Sequence, residues 1–280
     1  MRIWRVYDQE NCRLYLTGSS STMLSREIAS SLRGRSINLQ MDVLSFEEFV
    51  RFKGTEAVNI YSSAGQSHLR HLFSLYLKQG GFPELCFTDL SEQRMVLQEY
   101  LDMMFFKDMV ERYRVSNPQF MKVLLKYLVI NTARPLSVSK LHNTFKSMGY
   151  GVSKDRLFEY IGFLEESYLA NQLVIFSENI LEQNRNPKKF YIIDHALKYV
   201  FKPDPEPWQI LEQLVFKQLS YRHNDIRHSR SKFEQDFVFR SAGGEINVVN
   251  VCQELKDPET RDREIRSLEE GMQRYDLDHR

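Results

Sequence analysis

Three prolines at alternate positions, Pro203, Pro205 and Pro207, constrain this 280-residue chain more than any other feature. Each removes a backbone donor, fixes φ and biases the residue before it away from the helical region, so neither a helix nor a paired strand can run through. The segment reads as a linker, and the pattern changes across it. After it the spacing predicts helix Trp208–Arg222, strands near Ile226–Ser229, Gln235–Phe239 and Ile246–Cys252, and a last helix Arg261–Tyr275.

Before it the pattern is mostly helical. Arg13–Leu16 reads as a short buried strand that breaks into the polar loop Thr17–Ser21. Met23, Leu24, Ile28, Ala29 and Leu32 then recur at helical spacing up to Gly34, and Ile37–Leu39 returns as strand. From Ser45 to Arg114 the chain reads as helix. Ser45 and Glu48 resemble a capping box, apolar stripes run through His68–Lys78 and Arg94–Tyr113, and Gly80-Gly81-Phe82-Pro83 is a sharp turn. Between Pro118 and Ile193 the order is helix Gln119–Asn131, helix Val138–Ser147, helix Lys154–Ser167, strand Ala170–Phe176 and strand Lys189–Ile193. That is the order of a winged helix-turn-helix, with Ser137 and Ser153 as N-caps, Leu157, Tyr160, Ile161 and Leu164 as the apolar face of the third helix, and Glu178–Pro187 as the wing.

Charge excludes a bulk attraction to nucleic acid or membrane, because 38 Lys and Arg face 37 Asp and Glu. Any nucleic-acid contact must come from a local patch. Cys12, Cys86 and Cys252 are odd in number and far apart, and the seven histidines share no metal-ligand spacing, so no metal site is expected. No signal-like apolar stretch opens the chain and no run is long enough to span a bilayer, which together with the cysteine usage predicts a cytoplasmic protein.

Leu14–Ser25, Leu32-Arg-Gly-Arg35 and Val43–Phe49 as a set resemble the stretch after the Walker B strand in a family of prokaryotic AAA+-type ATPases. Tyr76–Glu84, Phe106–Arg112 and the Phe233–Arg266 region resemble the domain of unknown function that follows the ATPase module in that family. The resemblance covers nearly the whole chain. It implies ATP and magnesium as cofactors of the parent family, held by a G-x-x-x-x-G-K-[ST] loop and an acidic strand. Neither motif is present here, and Trp4–Asp8 looks like the segment just beyond the Walker B region. The chain alone is therefore expected to use no cofactor and to hydrolyse no ATP. Within the same resemblance Thr17 and Ser19 fall at the place of a nucleotide sensor and Arg35 at that of a phosphate-neutralising arginine, against the plain readings of a Ser-rich turn and a surface arginine. Glu47 and Glu48 read as ordinary first-turn acids.

Two further sets of residues carry chemical expectations. Lys154 and Arg156 on the third helix, with Arg185, Lys188 and Lys189 on the wing, are the nucleic-acid candidates, mixed with Asp155, Glu159, Glu165 and Glu166. The α-β-β-β-α order after the linker is that of a restriction-endonuclease-like core, in which Glu212, Asp236 beside Glu234, Asn250 and Cys252 occupy the catalytic positions. Asn250 and Cys252 stand where an acid and a lysine are needed, so the nuclease-like site is read as degenerate. Arg261, Arg263, Arg266 and Arg274 on the last helix are offset by Glu264, Glu269 and Glu270.

The fold class expected is α/β and α+β multidomain. Residues 1–54 would be the C-terminal remnant of an AAA+ ATPase core, 55–115 a helical lid or connector, 116–202 a winged-helix-like module and 203–280 a degenerate nuclease-like domain. The leading function is the C-terminal portion of an AAA+-type ATP-binding protein. The alternative is a stand-alone DNA-binding or protein-interaction module, and a third reading is a metal-dependent nuclease working through Glu212 and Asp236. Partners implied are DNA, the N-terminal ATPase part or further copies of the chain, and no membrane.

Overall fold

The computed structural model describes residues 39–55 and 59–277, together with the single positions Tyr15, Thr17, Gly18 and Ile37. Ser19, Arg35 and the helix expected around them lie outside the described residues. Ile37 and Leu39 are exposed and outside any strand, so the strand expected there is not formed at those positions. The architecture is mixed α/β, with two small antiparallel sheets set among helices.

Helix α1 (Phe46–Phe52) starts as the sequence predicts. The Ser45 hydroxyl accepts from the Glu48 N–H at 3.3 Å while the Glu48 carboxylate accepts from the Ser45 N–H at 2.8 Å, closing a capping box. Helix α2 (Ser63–Gln79) ends at Gly80, and a single 3₁₀ turn (Pro83–Phe87) follows. The stripe Arg94–Tyr113 is not one α-helix. Helix α3 (Gln93–Met104) passes into a π-helical segment, Phe105–Glu111, which keeps Phe105 and Met109 buried.

Helices α4 (Pro118–Ile130), α5 (Val138–Ser147) and α6 (Lys154–Glu166) are capped by the side chains of Asn117, Ser137 and Ser153. Leu157, Tyr160, Ile161 and Leu164 make up the buried face of α6 and pack into one apolar core with Leu124, Leu128, Phe145 and Phe190. Fully burying one such side chain stabilises by about 1.5–3 kcal/mol. Strands β1 (Ala170–Leu173) and β2 (Lys189–Ile192) pair antiparallel. The segment between them, expected as an irregular wing, instead carries a short exposed helix α7 (Ile180–Arg185), because Asn179 caps the N–H groups of Leu181 and Glu182.

A 3₁₀ turn (His195–Leu197) and helix α8 (Lys198–Phe201) lead to the proline run. Helix α9 (Pro207–Ser220), strands β3 (Ile226–Arg230), β4 (Glu234–Arg240) and β5 (Ile246–Val249), and helix α10 (Pro258–Arg274) follow. Packing crosses the prolines freely. The Gln213 amide of α9 accepts from the Ile192 N–H at 3.0 Å and donates to the Ile192 carbonyl at 2.7 Å, completing the edge of β2 as a neighbouring strand would. Leu173 and Tyr191 share a second core with Phe216, Ile226, Phe237 and Phe239. A parallel bridge between Ile175 and His228 joins the two sheets directly.

The turn after α2 is fixed from the other side of the molecule. Gly80 has φ 77° and ψ −164°, a region that essentially glycine alone occupies. A Cβ there would stand 2.3 Å from Asp194 Oδ1. Asp194 accepts from the Gly81 N–H at 2.6 Å and the Ala196 N–H at 2.7 Å, and the Gly81 carbonyl accepts from the Leu44 N–H at 2.7 Å. Gly80→Ala should therefore lower the unfolding free energy by about 3 kcal/mol or more, measured in urea. Gly54→Ala, where φ is 74° but the space is open, should cost about 1–2 kcal/mol.

Candidate functional site

The charged centre of the C-terminal half is built on alternate residues of two strands. Residues i and i+2 of a strand point to one face, so Lys189 and Tyr191 of β2 project together, as do Glu234 and Asp236 of β4. Helix α9 brings Glu212 to the same place. The Lys189 ammonium lies 2.9 Å from Glu212 Oε1, 2.9 Å from Glu234 Oε1 and 2.9 Å from Asp236 Oδ1. The Tyr191 hydroxyl donates to Glu212 Oε1 at 2.7 Å, and the second oxygen of Asp236 accepts from the Val251 N–H at 2.8 Å. Lys189 is 1% exposed, whereas the Glu234 side chain keeps 31% of its surface. The cluster therefore opens toward solvent on the β4 side.

Its electrostatics follow from one cation facing three acids. Burial disfavours the Lys189 ammonium, but Glu212, Asp236 and Glu234 outweigh that and raise its pKa, so it stays charged. Burial pushes the Glu212 carboxyl up to about 7 against the pull of Lys189, with Asp236 adding to the rise. Tyr191 is raised by burial and by Glu212 and remains a donor. Burial and Lys189 lower His228 to about 4, leaving a neutral ring whose Nε2 lies 3.2 Å from the Pro187 carbonyl.

The expected site residues fare differently. Glu212 and Asp236 meet on the same ammonium. Asn250 turns away, donating to Glu264 Oε2 at 3.0 Å and Ser267 Oγ at 2.9 Å, and the Cys252 thiol donates to the Glu254 carbonyl at 3.1 Å. Strand β5 ends at Val249, short of both, because the Val251 N–H goes to Asp236 rather than to the ladder.

Of the nucleic-acid candidates, Lys188 and Lys189 are buried, which corrects their expected place on an exposed wing. Burial lowers the pKa of Lys188. Arg156 is tied to Glu159 at 2.6 Å, while Lys154 and Arg185 are exposed. Thr17 is exposed. None of these residues lines the groove of about 1040 Å³ that runs between Leu39–Arg51, β1 and the end of α9. In that groove the Lys217 ammonium pairs with Asp42.

Comparison with known proteins adds a lineage. Residues 1–50 match a family model described as an AAA domain, and residues 70–203 match a domain of unknown function, DUF8612. An uncharacterized protein of Methanocaldococcus jannaschii is 32% identical over 272 residues, covering 95% of this chain and 60% of that protein. An uncharacterized protein of Haemophilus influenzae is 30% identical over 255 residues, covering 88% of this chain and 60% of that protein. The chain thus spans about 60% of the length of the curated relatives it matches. No solved structure matches it. These matches relate the chain to an AAA-type ATPase family. No helix among the described residues is long and apolar enough to cross a membrane.

Two measurements test the cluster. Lys189→Met leaves three carboxylates without their cation and should cost about 3–5 kcal/mol at neutral pH, a deficit that shrinks in acid as the carboxylates protonate. The second is the pH dependence of Glu212. Its folded pKa of about 7 exceeds the ordinary glutamate value of 4.5. The stability its proton contributes is therefore full below about 4.5 and is lost as pH rises through about 7. His228 slopes the other way between about 4 and 6.5, so the contrast with Glu212→Gln, which keeps His228, isolates the effect. Relative to that variant, the unmodified chain should lose about 1–3 kcal/mol between pH 4.5 and 7 in urea titrations.

Proposed function

We propose that this chain is the C-terminal portion of an AAA-type ATP-binding protein, without phosphate-holding machinery of its own. The observation that carries the reading is the AAA-domain match over residues 1–50 in a sequence with no Gly-Lys dipeptide anywhere. A P-loop needs that lysine and its backbone cradle to hold the β- and γ-phosphates. In this reading residues 1–54 are the end of the ATPase core, 55–115 a connector, 116–202 a winged-helix-like module and 203–280 a nuclease-like domain without nuclease chemistry, in a cytoplasmic protein. Thr17, Ser19 and Arg35 would belong to the nucleotide end of the parent arrangement.

The residues of the nuclease-like part do not suit a magnesium ion. Hard divalent cations take charged oxygen ligands, and here the three carboxylates already converge on an ammonium while Asn250 and Cys252 bond elsewhere. The same lysine supports a structural role for Glu212 and Asp236. For DNA the described residues offer a small basic surface: among them, Lys154 and Arg185 alone of the five basic candidates are exposed and without a carboxylate salt bridge.

The purified chain given ATP and magnesium should release no phosphate above a protein-free blank, and it should leave supercoiled and single-stranded DNA intact. Turnover that co-elutes with the chain would sink the first half of the reading. Magnesium-dependent cleavage that disappears in Asp236→Asn would sink the second.

A further inference from the structure

The two edges of the three-stranded sheet are finished differently. At β3 the register slips between Arg227 and Ser229, and the segment beside it is paired: Phe176 N–H donates to the His228 carbonyl at 2.7 Å and His228 N–H to the Val174 carbonyl at 3.1 Å. Two steps on β3, from Arg227 to Ser229, face three on β4, from Gln235 to Val238, so the extra residue belongs to β4 and the β3 edge is guarded by its covering segment. At β5, among the described residues, the only strand paired is β4.

The phase of the ladder says which groups are left over. Ser241 N–H donates to the Glu245 carbonyl at 2.8 Å, and an antiparallel pair bonds at alternate residues. In the register that sets Phe239 against Asn247 and Phe237 against Val249, residues 245, 247 and 249 therefore bond to β4. Ile246 and Val248 turn their N–H and C=O groups outward, where no described group bonds them. One face of the sheet is already occupied by α10, since a Cβ on Gly271 would stand 3.1 Å from Val248 Cγ1 and 3.3 Å from Gln235 Cγ. Strand β4 meets α9 on the other face through Asp236, Lys189 and Glu212, with Phe237 in the core beside Phe216. What remains open is the edge itself.

The sequence of that edge selects its occupant. Edge strands in natural proteins are guarded by lysine, proline, a bulge or a covering segment, yet Ile246-Asn-Val-Val-Asn-Val-Cys-Gln253 holds neither a charge nor a proline. A strand that meets its own copy antiparallel sets each residue against one from the same short run, and like charges placed opposite would oppose it. This run has none to oppose.

We propose that β5 is a strand-addition edge at which two copies of the chain pair antiparallel, with Val248 on the twofold axis. In this register Val248 exchanges both hydrogen bonds with its counterpart, and Ile246 lies opposite Asn250 of the second copy, so the outward-facing residues are used together. Because the β3 edge is covered, this sheet offers one free edge per copy among the described residues, and the assembly closes at two.

Sedimentation equilibrium over a concentration series tests this with two variants. Val248→Pro removes an outward N–H while sparing the bonds to β4, and Ile246→Lys adds the usual edge guard. The unmodified chain should show a monomer–dimer equilibrium, and each variant should weaken it on the order of tenfold or more. Unfolding midpoints of the dilute proteins should stay alike, and if Val248→Pro fails to fold, Ile246→Lys decides alone. In the unmodified chain the amides of Ile246 and Val248 should exchange more slowly as concentration rises. A chain that stays monomeric at its highest soluble concentration, a dimer unchanged in both variants, or growth beyond two copies overturns the proposal.

Discussion

One ammonium surrounded by three carboxylates is the interaction on which the C-terminal half depends. Taking a lysine to near-complete burial costs several kcal/mol in lost hydration, and only convergent counter-charges in good geometry return it. Lys189 has them at 2.9 Å from α9 and from two positions of β4. Strand β2, helix α9 and strand β4 are thereby set relative to one another by a group that tolerates little displacement. Burial, with Asp236 adding to it, makes Glu212, the most buried of the three, hold its proton toward neutrality against the pull of Lys189, while Glu234 and Asp236 keep some contact with water.

The same helix serves a second charge pair. Lys217, farther along α9, pairs with Asp42, and the Tyr221 hydroxyl donates to the Val43 carbonyl at 3.1 Å. Leu44 is held in turn by Tyr76, whose hydroxyl donates to its carbonyl at 2.7 Å, and by the Gly81 carbonyl. Residues 42–44, near the end of the AAA-like segment, therefore rest on α9 and on the glycine turn. Asp194 locks that turn from the end of β2.

Local features of this arrangement were legible in the sequence. Ser45, Ser137 and Ser153 cap helices because a hydroxyl ahead of an apolar stripe satisfies amides that the helix cannot, and the face of α6 followed from spacing alone. Glu212 and Asp236 were also recognisable, and they do meet. Lys189 was not. It follows Asn186, Pro187 and Lys188, surroundings typical of a surface loop, and every residue of β2 is buried, so no alternation marked its inward direction. Its three acids lie 23, 45 and 47 positions later, and periodicity cannot see across that distance. Asp194 was hidden for the same reason, since the amide it holds is 113 positions away. The proline run separates two helices, as three ring-locked residues must. A break in the chain path is a different thing from a gap in packing, and only the second would have separated the cores.

The bridge between Ile175 and His228 gives that distinction a practical side. With backbone bonds, a shared aromatic stack of Tyr191 on Phe216 at 4.1 Å, and the Gln213 clamp all crossing the same seam, scission at the prolines would bare a raw aromatic wall on each piece. Heat or denaturant should accordingly melt both sides in a single cooperative event, and neither piece expressed by itself would inherit a finished surface.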